Sequence, residues 1–169
     1  MNMDSNILDV VVNVKRVTKV TKGGKRFSFS AFVVSGDKQG KVGYAIGKSR
    51  DVSSAIAKAT AKARKHMVDI SLRGRTIPYP VEGNYGSAHV ILRSAYKGTG
   101  VIAGGAVRAV MDVVGIHDVL SKSLGSANQR NVAKATLNAL AKLRRLSDIA
   151  RLRGKTVEEI MKGTDVNAQ

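Results

Sequence analysis

The chain has 169 residues and a formal net charge of +17, because 29 Lys and Arg residues outweigh 12 Asp and Glu residues. Solubility of a small domain needs a net charge of only roughly 2–8, so this surplus favours a polyanionic partner, most often a nucleic acid. The chain has no cysteine, which excludes disulfides, thiolate metal sites and cysteine nucleophiles. No apolar run approaches the roughly 18 residues of a membrane-spanning helix, so we expect no membrane segment.

The first residues predict where the protein is located, and the distribution of charge predicts which half of the chain binds a polyanion. Residues 1–6 lack the basic region and the apolar stretch of a secretion signal, so we expect a cytoplasmic protein. Residues 1–80 contain 16 basic and 5 acidic residues, whereas residues 81–169 contain 13 and 7. The N-terminal half is therefore predicted to hold the main surface for a polyanion.

Apolar and polar residues alternate along three segments of the first half, a pattern typical of β-strands with one buried face. The segments are residues 8–14, 27–33 and 42–46. The alternation shifts by one position after the first segment, which predicts a β-bulge near Lys15 and Arg16. On the other face of the third segment, Gly43, Ala45 and Gly47 leave room for a closely packed element.

A helical pattern follows the third predicted strand. Asp51 is predicted as the N-cap, and apolar residues recur at helical spacing behind it. The predicted inward stripe consists of Val52, Ile56, Ala59, Ala63 and Met67. Residues 68–72 predict a short strand, so the first half is expected to contain three antiparallel strands, a helix and an added strand.

Residues 73–80 contain both prolines of the chain, and proline stiffens an extended segment. We therefore predict a domain boundary within this segment. The predicted units are residues 7–75, residues 76–150 and a C-terminal tail of residues 151–169 with a short capped helix.

The second half mixes strand and helix patterns. The predicted strands are residues 81–85, 88–93 and 116–124, and the predicted helices are residues 107–114 and 131–146. The first of these helices is expected to stop at Gly115, since glycine favours the C-terminal end of a helix. A last short helix is predicted to open with a capping box formed by Thr156 and Glu159.

The sharpest candidate site is the loop of residues 21–26. Two adjacent glycines, Gly23 and Gly24, let the backbone approach a phosphate group closely. The cations that would neutralise the phosphate are Lys22, Lys25 and Arg26. The alternative is an ordinary charged hairpin turn.

Two further sets of cations are candidate RNA contacts. The first flanks the same end of the sheet and consists of Lys15, Arg16, Lys19, Lys48 and Arg50. The alternative for this set is a charged strand edge that discourages pairing with other strands. The second set lies at helical spacing and consists of Lys58, Lys62 and Lys65. Its alternative is a solvated helix face.

Aromatic residues make up only 4% of the chain. This composition suits recognition of double-stranded RNA, which depends on shape and on phosphate and 2′-hydroxyl contacts more than on stacking. We accordingly expect Phe27 and Phe29 to lie in the core.

The sequence gives little support for catalysis or for a bound cofactor. Residues 98–103 match the Gly-x-Gly-x-x-Ala pattern of dinucleotide sites, but no apolar strand precedes them. The histidines are scattered, and the adjacent His117 and Asp118 would point to opposite faces of a strand. We therefore expect no catalytic residue, no metal site, no cofactor and no small-molecule substrate.

Several short segments occur in a specific order along the chain. They are residues 17–29, 34–37, 40–44, 47–48, 58–67, 98–110, 125–128 and 153–159. The most distinctive are VTKVTKGGKRFSF at residues 17–29 and GTGVIAGGAVRAV at residues 98–110. Taken together, over roughly residues 7–163, they resemble the bacterial small-subunit ribosomal protein S5 family.

The resemblance implies an α+β fold of two domains. The first would be like a double-stranded-RNA-binding domain, with a β-sheet and a helix. The second would be the α/β sandwich named after this family's second domain. Its strand–helix–strand crossover would be left-handed, against the general rule for such connections.

The resemblance also implies partners. The chain would bind 16S ribosomal RNA, contact ribosomal proteins S4 and S8, line the channel through which messenger RNA enters, and support translational accuracy. The implied contacts toward S4 are Gly98, Gly100, Gly104, Gly105 and Arg108. The implied contacts toward S8 are Thr156 and Glu159, at the start of the last helix.

Two alternatives to a ribosomal protein remain open at this point. A double-stranded-RNA-binding regulator that acts off the ribosome would share the basic N-terminal half. A small enzyme would use the fold of the second domain, which some kinases share.

Overall fold

The computed structural model describes residues 7–162 and contains two four-stranded β-sheets that share one core. The first sheet consists of β1 (Leu8–Thr21), β2 (Gly24–Gly36), β3 (Lys41–Ser49) and β4 (Val68–Asp69), antiparallel in that order. Helix α1 (Val52–Lys65) follows β3, which confirms the predicted arrangement. β4 is shorter than predicted because the chain turns into the core at Ile70. The predictions made for residues 1–6 and 163–169 lie outside the described residues.

The bulge in β1 lies at Val12, and the prediction that placed it near Lys15 and Arg16 is wrong. The pairing of β1 with β2 shifts register between Val11 and Asn13. Register is fixed where a strand packs on the core. Beyond this point β1 leaves the core, so its apolar residues no longer indicate which face is buried.

Helix α1 packs closely on β3 because both elements present small side chains. Its buried face consists of Ala55, Ala59 and Ala63. A Cβ atom added at Gly43 or Gly47 would collide with a backbone carbonyl oxygen of this helix, so the space predicted beside β3 is filled by α1. The inward position predicted for Val52 is wrong, since only alanines fit at this short separation and Val52 is exposed.

The second sheet consists of β5 (Val81–Tyr85), β6 (Ala88–Ser94), β7 (Val101–Ile102) and β8 (Val119–Gly125), in the spatial order β5-β6-β8-β7. β5 and β6 form the predicted hairpin. Helix α2 (Gly105–Val114) connects β7 to the parallel strand β8, and Gly115 ends it with a φ of 90°, as predicted. The left-handed sense of this crossover stays a prediction.

The single helix predicted for residues 131–146 is two helices in the structure. They are α3 (Gln129–Ala141) and α4 (Leu146–Arg153). The hydroxyl of Tyr79 accepts a hydrogen bond from the Arg144 amide at 2.9 Å and donates to the Lys142 carbonyl oxygen at 3.3 Å. Tyr79 therefore forms hydrogen bonds with backbone groups that would otherwise bond within a continuous helix. Nothing in the sequence of residues 131–146 indicates that the helix ends there.

Helix α5 (Val157–Lys162) begins with the predicted capping box. The Thr156 amide donates to Oε2 of Glu159 at 3.0 Å, and the Glu159 amide donates to Oγ1 of Thr156 at 3.3 Å. The two side chains thus satisfy backbone amides that have no partner within the helix.

Helix α2 lies between the two sheets and joins their cores. The buried cluster includes Phe32, Val34 and Val42 of the first sheet together with Val107, Val110, Met111 and Val113 of α2. Backbone contacts reinforce this packing at the C-terminal end of α2. The Lys38 amide donates to the Val113 carbonyl oxygen at 3.0 Å. The Gly40 amide donates to the Val114 carbonyl oxygen at 3.1 Å, so the turn between β2 and β3 caps this helix.

Replacing Gly115 with Ala is expected to lower the free energy of unfolding by about 2–4 kcal/mol. Gly115 has a φ of 90°, and an added Cβ atom would collide with the backbone of Lys38, at the contact between the sheets. Gly154→Ala is the matched control, because Gly154 has a φ of 61° but open space around it. Urea unfolding measures both variants, and an equal loss in the two would contradict the packing at Gly115.

Candidate nucleic-acid interface

The hairpin of β1 and β2 extends beyond the rest of the first sheet. β3 pairs with β2 only as far as Phe29 and Ser49, so residues 24–28 of β2 pair with β1 alone. We call residues 17–28 the arm. At roughly 3.4 Å per residue, the arm projects about 17 Å past the end of β3. Val20, near its tip, is 72% exposed, so the described chain leaves this part of the arm uncovered.

The arm and its base carry exposed cations without a carboxylate among them. The cations are Lys15, Arg16, Lys19, Lys22, Lys25 and Arg26. The nearest acidic residues along the chain are Asp9 and Asp37. No ion pair within residues 7–162 includes any of these cations. Like charges on a narrow ribbon repel one another, so this arrangement favours a bound polyanion.

Cations lie on both faces of the arm. Lys19 and Arg26 are directly opposed in the register of β1 and β2, and opposed residues share one face. Arg16 and Lys25 occupy positions of the other face. There the Arg16 guanidinium lies 4.8 Å from the centre of the Phe27 ring, within cation–π distance. Phosphate groups on either side of the arm would therefore meet a positive charge.

The basic motif predicted as a loop at residues 21–26 is a tight hairpin turn. β1 runs to Thr21 and β2 begins at Gly24, which leaves two residues between the strands. Gly24 has a φ of 130°, a conformation that favours glycine. The last two cations of the motif lie on β2, so the strand fixes their spacing.

The prediction that Phe27 lies in the core is wrong, because its side chain is 49% exposed. Phe29, two residues further along β2, is half-buried. The alternating pattern is that of a buried strand, but it does not reveal that β2 is longer than β3. Phe27 is thus a candidate functional residue that sequence reasoning missed.

A surface groove of about 700 Å³ lies where the arm joins the sheet. Its charged lining comes from Lys19, Arg26 and Arg50, and its apolar lining includes Val17 and Phe27. The structure therefore brings together cations from β1, from β2 and from the residue that follows β3.

Lys15 and Lys48 lie at the base of the arm. Both pair with Ser30 of β2, from opposite sides within the sheet, so all three residues share one face. Both cations are exposed. They continue the positive surface that Lys19 and Arg26 begin on the arm.

The cations of α1 form a surface of their own. Lys58, Lys62 and Lys65 are exposed, on a helix that runs back along β3 and away from the arm. Arg64 of this helix forms an ion pair with Asp9 of β1. Burial alone would raise the pKa of Asp9, but the hydrogen bonds and charge of Arg64 hold that pKa below its usual range. The pair fastens α1 to the edge of the sheet.

A buried carboxylate holds the glycine-rich loop that precedes α2. Asp118 is 2% exposed, and its Oδ1 accepts hydrogen bonds from the Gly98 and Gly100 amides at 2.9 and 3.0 Å. The Gly100 hydrogen bond lowers the pKa of Asp118, burial opposes this effect, and the Gly98 hydrogen bond and the Arg75 charge add to it. The resulting pKa lies below its usual range. Asp118 is distant from these glycines along the chain, so sequence reasoning missed this role.

The other residues predicted as protein contacts lie on two separate elements, α2 and α5. Gly104 and Gly105 are exposed at the start of α2. Nη2 of Arg108 donates to a carbonyl oxygen of β7 at 3.2 Å. Thr156 and Glu159 use their polar atoms in the cap of α5. Their contacts with other proteins stay predictions.

Within residues 7–162, no group of three or more His, Asp or Glu side chains is placed to hold a metal ion. The helices in the same range are all too short or too polar to cross a membrane. A basic α+β chain with a charged, projecting ribbon is typical of proteins that bind structured RNA.

Comparison with known proteins identifies the family. Residues 7–71 match ribosomal protein S5, N-terminal domain, and residues 83–153 match ribosomal protein S5, C-terminal domain. The small ribosomal subunit protein uS5 of Flavobacterium psychrophilum is 56% identical over 155 residues, which cover 92% of this chain and 89% of the relative. The protein of the same name from Syntrophobacter fumaroxidans is 51% identical over 154 residues, which cover 91% and 93%. This chain therefore belongs to the ribosomal protein S5 family.

Membership of this family confirms the resemblance and the α+β fold class. The chain is a structural constituent of the small ribosomal subunit and not an enzyme, so the enzyme alternative is wrong. The predicted domain boundary and the individual site residues stay predictions.

Acidification is expected to release the loop around Gly98 and Gly100 from Asp118. The folded pKa of Asp118 is lowered, so its hydrogen bonds stabilise the fold fully above a pH of about 4 and are lost as pH falls further, through the lower folded pKa. The NMR shifts of the two glycine amide protons should titrate in that range. Constant shifts, or a midpoint at the usual pKa of an Asp, would contradict this expectation.

In Asp118→Asn, the two glycine amide protons should already have at neutral pH the NMR shifts that the wild type reaches only in acid. The reason is that the amide side chain lacks the charge that strengthens both hydrogen bonds. Asp112→Asn is the matched control, since Asp112 is exposed on α2. This control should leave the titration of both glycine amides unchanged.

Proposed function

We propose that this chain binds 16S ribosomal RNA through the arm and the cations at its base. The observation that carries the proposal is a ribbon that projects from a folded core and has cations on both faces, none of which forms an ion pair within residues 7–162. RNA phosphates supply the missing negative charge, and the release of their counterions favours association. The proposed RNA-contact residues are Lys15, Arg16, Lys19, Lys22, Gly23, Gly24, Lys25, Arg26, Lys48 and Arg50, with Lys58, Lys62 and Lys65 of α1 as a second surface.

The arm suits a groove or junction of folded RNA. Double-helical RNA is recognised by its shape and through phosphate and 2′-hydroxyl groups, which side chains on two faces of a narrow ribbon reach together. An isolated two-stranded ribbon is only marginally stable in water. RNA that covers Val20 and Phe27 would also remove apolar surface from water and so order the arm.

The proposed division of labour follows the predicted units. Residues 7–75 would face the RNA, and residues 76–150 would face ribosomal protein S4 through the loop of residues 98–105 and Arg108. The hydrogen bonds that Asp118 accepts from this loop support this assignment, because a loop already held in one conformation loses little entropy on binding. The tail of residues 151–169 would reach S8 through its capped helix. The assembled protein would line the messenger RNA channel and support translational accuracy.

A regulator that binds double-stranded RNA off the ribosome is the alternative to this assignment. Sedimentation of a bacterial lysate at moderate salt separates the two. We expect the chain, a cytoplasmic protein, to travel with the small subunit. Recovery of most of the chain in the soluble fraction, with small subunits present and intact, would favour the regulator.

Replacing Lys22, Lys25 and Arg26 together with Ala is expected to weaken binding to a 16S RNA transcript and to flatten its dependence on salt. The slope of log K against log salt concentration should fall by about 2–3, since each phosphate contact contributes about 0.9. Filter binding over a range of salt concentrations measures this slope.

The matched control replaces Arg93, Lys97 and Lys122 with Ala, which removes the same charge from the second half of the chain. All three are exposed, and none belongs to an ion pair within residues 7–162. This variant should keep a slope close to that of the wild type. Equal slopes for the two triple variants would mean that net charge, and not the arm, determines binding.

A further inference from the structure

A small polar cavity lies between the first sheet and the start of α3, apart from the groove beside the arm. Its volume is about 160 Å³, and its lining consists of Asn13, Lys15, Ser30, Phe32, Asn128 and Arg130. The side-chain amide of Asn13 donates to the side-chain oxygen of Gln129, so this wall of the cavity joins β1 to α3. The cavity therefore exists only where the two halves of the chain meet.

Ser30 lines this cavity, and its buried hydroxyl has no hydrogen-bond partner within residues 7–162. Ser30 is 5% exposed, and within the described residues no group forms a hydrogen bond with its Oγ. A buried hydroxyl without a hydrogen bond destabilises the folded state. The site thus offers a donor that a ligand from outside the chain would satisfy.

The charges around the cavity are positive. Lys15 is exposed and Arg130 is half-buried, and within residues 7–162 neither belongs to an ion pair. No carboxylate contributes to the lining. Asn128 caps α3 by accepting a hydrogen bond from the Arg130 amide, so the positive end of this 13-residue helix also lies at the cavity.

We propose that this cavity binds one phosphate group of the RNA backbone. The Ser30 hydroxyl would donate to a phosphate oxygen, while Lys15 and Arg130 would neutralise its charge. This inference rests on the proposed function, because it assumes that the chain binds RNA, and it adds a contact point at the junction of the two halves. RNA held at both the arm and this cavity would be fixed in orientation as well as in position.

The test compares Ser30→Ala, Arg130→Gln and the control Lys122→Gln for binding to the 16S RNA transcript. Arg130→Gln should weaken binding about five- to tenfold at 0.1 M salt and lower the salt slope by about 0.9. Ser30→Ala should weaken binding about three- to tenfold, since a hydrogen bond to a charged group is lost. Lys122 lies on the far side of the second sheet, at a separate surface site, and its replacement should change binding less than twofold.

The Tm of the free protein shows whether a loss of RNA affinity in Ser30→Ala comes from the binding site or from misfolding. Ser30→Ala removes a hydroxyl that has no hydrogen-bond partner within the described residues, so the Tm of the free protein should stay the same or rise slightly. Weaker RNA binding with an unchanged or higher Tm supports the phosphate site. A lower Tm with unchanged RNA binding would show that Ser30 has a purely structural role and would overturn the proposal.

Titration of the free protein with inorganic phosphate, at constant ionic strength, distinguishes RNA from a free anion. If phosphate saturates the amide shifts of Ser30 and Arg130 while neither substitution affects RNA binding, the cavity is a site for a free anion and the RNA assignment is overturned. If phosphate does not shift the two amides and neither substitution changes RNA affinity, the cavity holds only water and the proposal fails. Loss of RNA affinity in both variants supports it, whether or not free phosphate saturates the site.

Comparison with the triple variant of the arm distinguishes failure of the cavity proposal from failure of the proposed function. If that variant loses RNA affinity while the cavity variants do not, the cavity proposal alone fails. If neither the arm variant nor the cavity variants differ from the wild type, RNA binding through this half of the chain fails as well.

Discussion

The contact of α2 with both sheets is the constraint on which the rest of the structure depends. This helix belongs to the second half of the chain, yet its last carbonyl oxygens accept hydrogen bonds from Lys38 and Gly40 in the first half. Backbone hydrogen bonds of this kind fix distance and direction together. The direction in which the arm projects is therefore set relative to the glycine-rich loop, so the proposed RNA and protein contacts would be held in one geometry.

The arm, which we propose binds RNA, is the part of the first sheet with the least support from the core. Within residues 7–162 its cations form no ion pair, and Val20 and Phe27 expose apolar surface to water. The nearby core, by contrast, is dense, with alanines of α1 packed against Gly43 and Gly47 of β3. A rigid base with an uncovered projection suits the RNA binding that we propose, since RNA would provide partners for both the charge and the apolar surface.

The sequence predicted the type and order of most elements, because strand alternation, the glycine after α2 and the capping box of Thr156 and Glu159 are local signals. The sequence-based predictions were wrong or incomplete where residues distant along the chain determine the local structure. Tyr79 ends α3, Asp118 holds a loop far from it along the chain, and the free length of β2 leaves Phe27 exposed. The basic motif of the arm could be recognised from its residue types, but the register of β1 and β2 determines which cations lie on each face. The cavity at Ser30 required both halves of the chain.

The most direct test of the central claim uses the absence of cysteine, which makes any introduced cysteine unique. Gly23→Cys at the tip of the arm, where no atom lies within 4 Å of an added Cβ, can carry an iron chelate that cleaves nearby RNA in reconstituted small subunits. We expect strong, localised cleavage of 16S RNA from this position, and much weaker cleavage from Gln39→Cys, an exposed site at the opposite end of β2. Equal or absent cleavage from the tip would contradict an RNA-bound arm.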